Sequence, residues 1–255
     1  MMKQVINLAL VAIVSMTLMS CMSVSVGNNG RDNTPSQVKE INQVTAMQPF
    51  DEVDIAGAFK VIYEQNDEFS VRVEASPEAF KEMTVYVKDR ELRIRKSVSK
   101  PTQSFQNVKI YVTSPDIEMI DLAGSGVFTS SKPIAASKDL NVDVAGSGEV
   151  LLVGVTCRES DLEIAGSGNI EIGNFTATKV NADIAGSGNI NMGTLKCTDL
   201  DIDIAGSGDV NCDNIDADKV QADIAGSGNV NLKGNVRNVN KDIAGSGKVN
   251  ISGLE

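Results

Sequence analysis

The sequence predicts an all-β protein wound as a parallel β-helix, a solenoid with coils of about 20 residues. Three observations predict it. The tetrapeptide AGSG begins at Ala123, Ala145, Ala165, Ala185, Ala205, Ala225 and Ala244, in steps of 22, 20, 20, 20, 20 and 19 residues. Between these points apolar and polar residues alternate, the period of half-buried strands. No repeat holds a helical period long enough for a βαβ unit. A fixed period near 20 marks an array whose units bury their apolar faces only by stacking on one another.

One unit, "DIAGSGNINMGTLKCTDLDI" (Asp183–Ile202), shows the design. Ile184, Ile190, Met192, Leu195, Cys197, Leu200 and Ile202 are its apolar positions, and "AGSG", "GT" and "TD" interrupt the alternation. Each unit therefore holds three short strands and three corners. Strands this short pair with the same strand of the next coil. The corner Gly186-Ser187-Gly188 turns sharply, and glycine supplies positive φ there without steric cost. Copies above and below lie about 4.8 Å away, so larger side chains would collide. The Ser hydroxyls are placed to bond along their own stack.

The N-terminus reads as a targeting segment. Residues 1–20 carry one charge, Lys3, followed by an apolar run from Val5 to Leu18. That run is too short for a membrane span and suits a signal peptide. "LMSC" (Leu18-Met19-Ser20-Cys21) resembles the lipobox of bacterial lipoproteins, which implies cleavage before Cys21, lipid attachment at Cys21 and a membrane anchor. An ordinary secretory signal with an incidental Cys is the alternative. Residues 21–47 are polar, with Gly, Pro, Asn and Ser, and read as a flexible tether. Residues 48–120 form a less regular β portion that caps or continues the solenoid, and 121–255 form the repeats. "DIAGAFKV" (Asp54–Val61) is a degraded copy of the repeat phrase. "KDRE" (Lys88–Glu91) reads as a hairpin turn. Ser76 and Pro77 open a short helical turn as N-cap and first helical residue.

Beyond Lys3 the chain carries 22 basic and 34 acidic residues, a net of −12. That balance excludes nucleic acid and anionic lipid as electrostatic partners. There is no His and no Trp. Without His the commonest general base is missing and a Ser-His-Asp arrangement cannot form. The glycine corners lack the following helix of a phosphate-binding loop. No cofactor is called for.

Four constellations stand out. Asp143, Glu163, Asp183, Asp203, Asp223 and Asp242 share one position and should stack in an outer column. Like charges at this spacing repel by about 0.9 kcal/mol even at the dielectric of water. The column reads either as a solvated, screened face or as a Ca²⁺ ladder at Asp183, Asp203 and Asp223; the Ca²⁺-binding G-G-x-G-x-D repeat is absent. Asn191, Asn211, Asn231 and Asn250 form an amide column, and Asn169, Asn189 and Asn229 a second. Cys157 and Cys197 share an inward position two coils apart, too far for a disulfide; with Cys212 they read as buried apolar residues. In "KDRELRIRKSVSK", Lys88, Arg90, Arg93, Arg95, Lys96 and Lys100 gather positive charge. It reads as a charged edge that deters aggregation or as a contact for an acidic partner, whether polysaccharide or the protein's own acidic repeats.

"FDEVDIAGAFKV", "VYVKDRELRIRK", "VKIYVTSPDIEMIDLAGSG" and the tandem "DIAGSG" phrases together resemble the GIN-domain family over about residues 48–252. Its members are described as auto-transporter adhesin head domains, common in Bacteroidetes envelope proteins, and some as lipid-binding. The resemblance implies a right-handed parallel β-helix and brings no catalytic residues. The expectation is a non-enzymatic lipoprotein, anchored in the cell envelope at the outer membrane, whose solenoid presents a surface for adhesion or ligand binding. A periplasmic structural or lipid-handling protein is the alternative. A polysaccharide-acting enzyme is disfavoured, because residues 121–255 hold only two aromatics, Phe128 and Phe175, and tight loops. The last coil, ending "VNISGLE" without an evident cap, leaves an edge on which a second copy could pair.

Overall fold

Each coil stacks on the next in the register the repeat spacing predicts. Asp183 lies opposite Glu163 and Asp203, and Gly186 opposite Gly166 and Gly206. The same parallel pairing runs on through Asp223 and Asp242. A computed structural model describes residues 36–97 and 107–253, and shows an all-β solenoid of about seven turns.

Alternation places the apolar residues inside. Val144, Ile164, Ile184, Ile204 and Ile224 form one inward column, each at most 2% exposed. Phe128, Val150, Ile170, Ile190, Val210 and Val230 form another and are fully buried. Burial of this kind, repeated in every coil, is the dominant favourable term in the fold. Two irregular steps are absorbed locally. The 22-residue step loops out at 131–140, around the two-residue strand Ile134–Ala135. The 19-residue step falls at a bulge, where Asp213 and Asn214 face Lys233 alone and Gly234 turns with φ +127°.

The N-terminal end both caps and continues the solenoid. Glu52–Ala56 pairs in parallel with Glu91–Lys96 on one side and Met119–Gly124 on the other. Lys60–Gln65 is flanked likewise by Lys109–Ser114 and Val127–Ser130. The coil at 52–65 therefore lies between two coils that follow it in sequence. Antiparallel strands close the end: Met83–Lys88 on Glu91–Lys96, Ser70–Glu74 on Lys109–Ser114, and Val44–Ala46 on Ser70–Glu74. Asp89 and Arg90, with φ of 54° and 66°, make the two-residue turn of the expected hairpin. Ser76 caps Pro77–Lys81, its Oγ accepting from the Ala79 amide at 3.2 Å.

The tether expected over 21–47 ends sooner than its composition suggests. Val38 and Met47 are buried in the cap, and the Val38 amide donates to the Val85 carbonyl at 2.9 Å. These isolated apolar residues anchor an otherwise polar stretch. The signal segment and Cys21 lie outside the described residues. At the far end the last coil thins out. Val239 and Ile243 are only half-buried, and Lys241 occupies the inward column of Leu162, Ala182, Ile202 and Ala222.

Candidate functional site

The corner comes first because it shapes the surface beside it. Gly186 has φ +137°, and a Cβ there would lie 2.2 Å from the Gly166 carbonyl oxygen. A Cβ on Gly188 would meet the Gly168 oxygen at 2.4 Å. Both glycines are required, one by conformation and both by space. Between them the Ser187 amide donates to the Gly166 carbonyl at 2.8 Å. Among the described residues the corner hydroxyls do not bond along their stack, contrary to expectation. A rung spacing near 4.8 Å exceeds hydrogen-bond reach, and the backbone makes the link instead.

The strand entering each corner turns three columns outward. In one unit these are Asn181, Asp183 and Ala185. The middle column is the expected carboxylate row, and it is longer than expected: Asp54 and Asp121 stand in register below Asp143. Their signal was the same D-I/L-A-G phrase. The third column is alanine in every repeat, half-buried at Ala123 and exposed from Ala145 onward. Carboxylates and alanine methyls together line a groove of about 530 Å³ that runs along the solenoid from Glu163 to Ala244. The alanine floor had its own signal in the constant first letter of AGSG.

Crowding shows in the acidities. Burial first, then the neighbouring Glu163, Asp121 and Asp161, push the Asp143 carboxyl up to about 6. Burial and Asp203 raise Asp183, and burial and Glu91 raise Asp121. Among the described residues no Lys or Arg forms an ion pair with Asp143, Asp183, Asp203 or Asp223 (the Gln221 amide donates to Asp223 at 3.3 Å). As for a Ca²⁺ ladder at Asp183, Asp203 and Asp223, the described residues contain no group of three or more His, Cys, Asp or Glu arranged to hold a metal ion.

The basic hairpin meets this column at its cap end. Arg95 pairs with Asp54, Arg93 with Glu91, and Arg90 with Asp51. Burial and a hydrogen bond shared with Glu91 push Asp54 up to about 6, against the pull of Arg95. Lys96 closes the same strand, and Lys100 lies outside the described residues.

A second face carries the amides. Asn211 donates to Asn191 at 2.9 Å, Asn231 to Asn211 at 2.9 Å and Asn250 to Asn231 at 2.8 Å. This ladder borders a groove of about 430 Å³. Cys197 and Cys212 are buried and Cys157 is half-buried, a partial departure from the expectation for all three. All are free thiols, and burial pushes Cys157 up to about 11 and Cys197 up to about 12. Such thiols are unreactive as nucleophiles.

Comparison with known proteins then places the chain. The family model described as "Putative auto-transporter adhesin, head GIN domain" matches residues 49–213 and 193–255. The chain belongs to the GIN-domain family. Solved structures share the GIN fold. A "putative adhesin" from Bacteroides fragilis NCTC 9343 superposes with a TM-score of 0.75 at 22% identity, covering 82% of this chain and 95% of that one. A second "putative adhesin", from Parabacteroides distasonis ATCC 8503, gives 0.69 at 22% identity, covering 86% and 98%. A "putative lipid binding protein" from the same organism gives 0.66 at 24%, covering 85% and 96%. Among curated proteins none matches.

Proposed function

We propose that this GIN-domain chain is a non-enzymatic lipoprotein of the cell envelope, held to the membrane through Cys21, whose solenoid presents a binding surface for adhesion. The observation that carries the reading is the filled core beneath a long, repeated outer surface. The inward columns are packed shut, so binding happens on the outside, where one set of side chains recurs at every rung. Membership in a family described as adhesin heads supports this. So does the absence of His, together with the lack of a metal-holding group among the described residues. No described helix is long and apolar enough to cross a membrane.

A lipid-handling role has one specific support, the name of the third structural neighbour. The packed interior means a lipid would have to lie in an outer groove.

The test is protease accessibility of the repeats on intact and permeabilised cells, beside a Cys21→Ser variant. Cleavage on intact cells, and loss of the variant from the membrane fraction, are the expected results. Cleavage only after permeabilisation would remove the adhesive reading, and an unchanged membrane fraction would remove the lipid anchor.

A further inference from the structure

We propose that the open strand edge at residues 235–245 binds an extended acidic segment of a partner protein. The segment adds as the next parallel rung, with apolar side chains over Val239 and Ile243 and a carboxylate over Lys241. This site lies at the end of the stack, apart from the lateral surface proposed for adhesion, so either reading can fail alone.

Backbone, packing and charge point to the same edge. The strand Asn229–Gly245 pairs along its length with Asp209–Gly226, but on its far side Lys248–Ser252 covers residues 229–233 alone. Among the described residues, 235–245 is therefore bonded on one side only, and its outward N–H and C=O groups form a template for a further strand. A strand laid there continues the rung that Lys248–Ser252 begins. Its inward side chains would close the core. In the coil below, Val220, Ala222 and Ile224 are buried; in register above them Val239 and Ile243 are only half-buried, and Lys241 is exposed. The edge thus presents apolar, cationic and apolar side chains at alternate positions on one face.

Charge selects the occupant. The chain is acidic overall, at −11, and the coil at 209–228 carries five acidic residues and one basic. The sign reverses at the open end, where residues 229–252 hold Lys233, Arg237, Lys241 and Lys248 against Asp242 alone. Lys233 and Arg237 pair with Asp213 and Asp218 of the coil below, while Lys241 and Lys248 form no ion pair among the described residues. A second copy of this edge would bring cation to cation, and an apolar strand would cover the Lys241 ammonium without a partner. An acidic polysaccharide would answer the charge but leave the backbone row and the two apolar side chains unmatched. A strand reading apolar, acidic, apolar at alternate positions answers all three. Main-chain bonds then supply affinity, and the alternate side chains supply specificity.

The experiment is calorimetric titration of the purified full chain with two end-blocked peptides. One repeats the edge strand, NVRNVNKDIAG. The other, NVENVNEDIAG, carries Glu at the places of Arg237 and Lys241. The Glu peptide should bind roughly tenfold or more tightly than the unaltered one, and weaken as salt rises from roughly 50 to 200 mM. Hydrogen exchange should slow at residues 235–245 on binding, a backbone signature that contact through side-chain charge alone would not give. Lys241→Glu, a substitution at an exposed position whose fold circular dichroism checks, should reverse the preference between the two peptides. Absence of binding, equal affinity for the two peptides, binding without slowed exchange at 235–245, or an unreversed preference in Lys241→Glu would overturn the proposal. So would a parent protein that dimerises with the same amides slowed, since a second copy would then hold the edge.

Discussion

Gly206 and Ser207 are neighbours in one corner and answer to different constraints. Gly206 has φ +139°, and a Cβ would lie 2.1 Å from the Gly186 oxygen, a backbone atom fixed by the coil below. Gly206→Ala should cost about 1–3 kcal/mol in conformation alone, with the steric clash added. Ser207 is exposed and contributes only its amide, so Ser207→Ala should stay within about 0.5 kcal/mol of the parent. Urea midpoints for the two variants check the contrast. Asp143 makes a second prediction at this scale. Its carboxyl is raised from 3.8 to about 6, so the folded state holds a proton that the unfolded state releases between those values. The folded state is therefore favoured at low pH, and that contribution is lost as pH rises through this window. Asp143→Asn should raise the melting temperature at pH 7.5 and flatten its decline between pH 4 and pH 6, by less than about 1 kcal/mol once solvent screening is allowed for. A variant melting lower than the parent at pH 7.5 would contradict the assignment.

At the scale of the element, much of this fold was legible because a stacked strand pairs with its own copy. Once AGSG is aligned, every residue falls into a column, and the carboxylate and asparagine rows follow. What periodicity cannot tell is which rung lies next to which. The phrase at Asp54 belongs to the right columns, yet its coil is flanked by 91–114 rather than by anything before it. Arg93 and Arg95 read as one face of a charged edge strand. Arg93 pairs with Glu91 two residues earlier on the same strand, but the pairing of Arg95 with Asp54 depends on that crossover, so it was out of reach. The groove was missed for a related reason, since the constant alanine of AGSG marks a column but not what that column lines until its neighbours are placed. The last strands show a different device. Lys241 puts a charge where the core column expects an apolar side chain, one of the ways natural sheets discourage edge pairing. Lys241→Leu should continue that column to the exposed edge and promote self-association. Sedimentation velocity should show a larger weight-average species for the variant than for the parent at equal concentration, and equal values would discount the role given to Lys241.

Taken as a whole molecule, the GIN-domain chain has two unlike ends joined by a body of equivalent coils. One end is closed by antiparallel strands and holds Arg95, among the described residues the one cation that pairs with the carboxylate column. Toward the other end that column runs free, with the groove beside it. Each coil touches only its neighbours, so stability is distributed along the axis rather than concentrated in one centre. The crossover at the closed end then bears on load. A pull arriving from the N-terminal side passes through Val44–Ala46, an edge strand bonded on one side, and next reaches Glu52–Ala56. That strand is bonded on both sides, by strands that lie later in the chain. Peeling therefore stops after one short strand, and further extension requires shearing two parallel ladders at once. The placement of the first coil inside the stack makes the N-terminal end the mechanically resistant one.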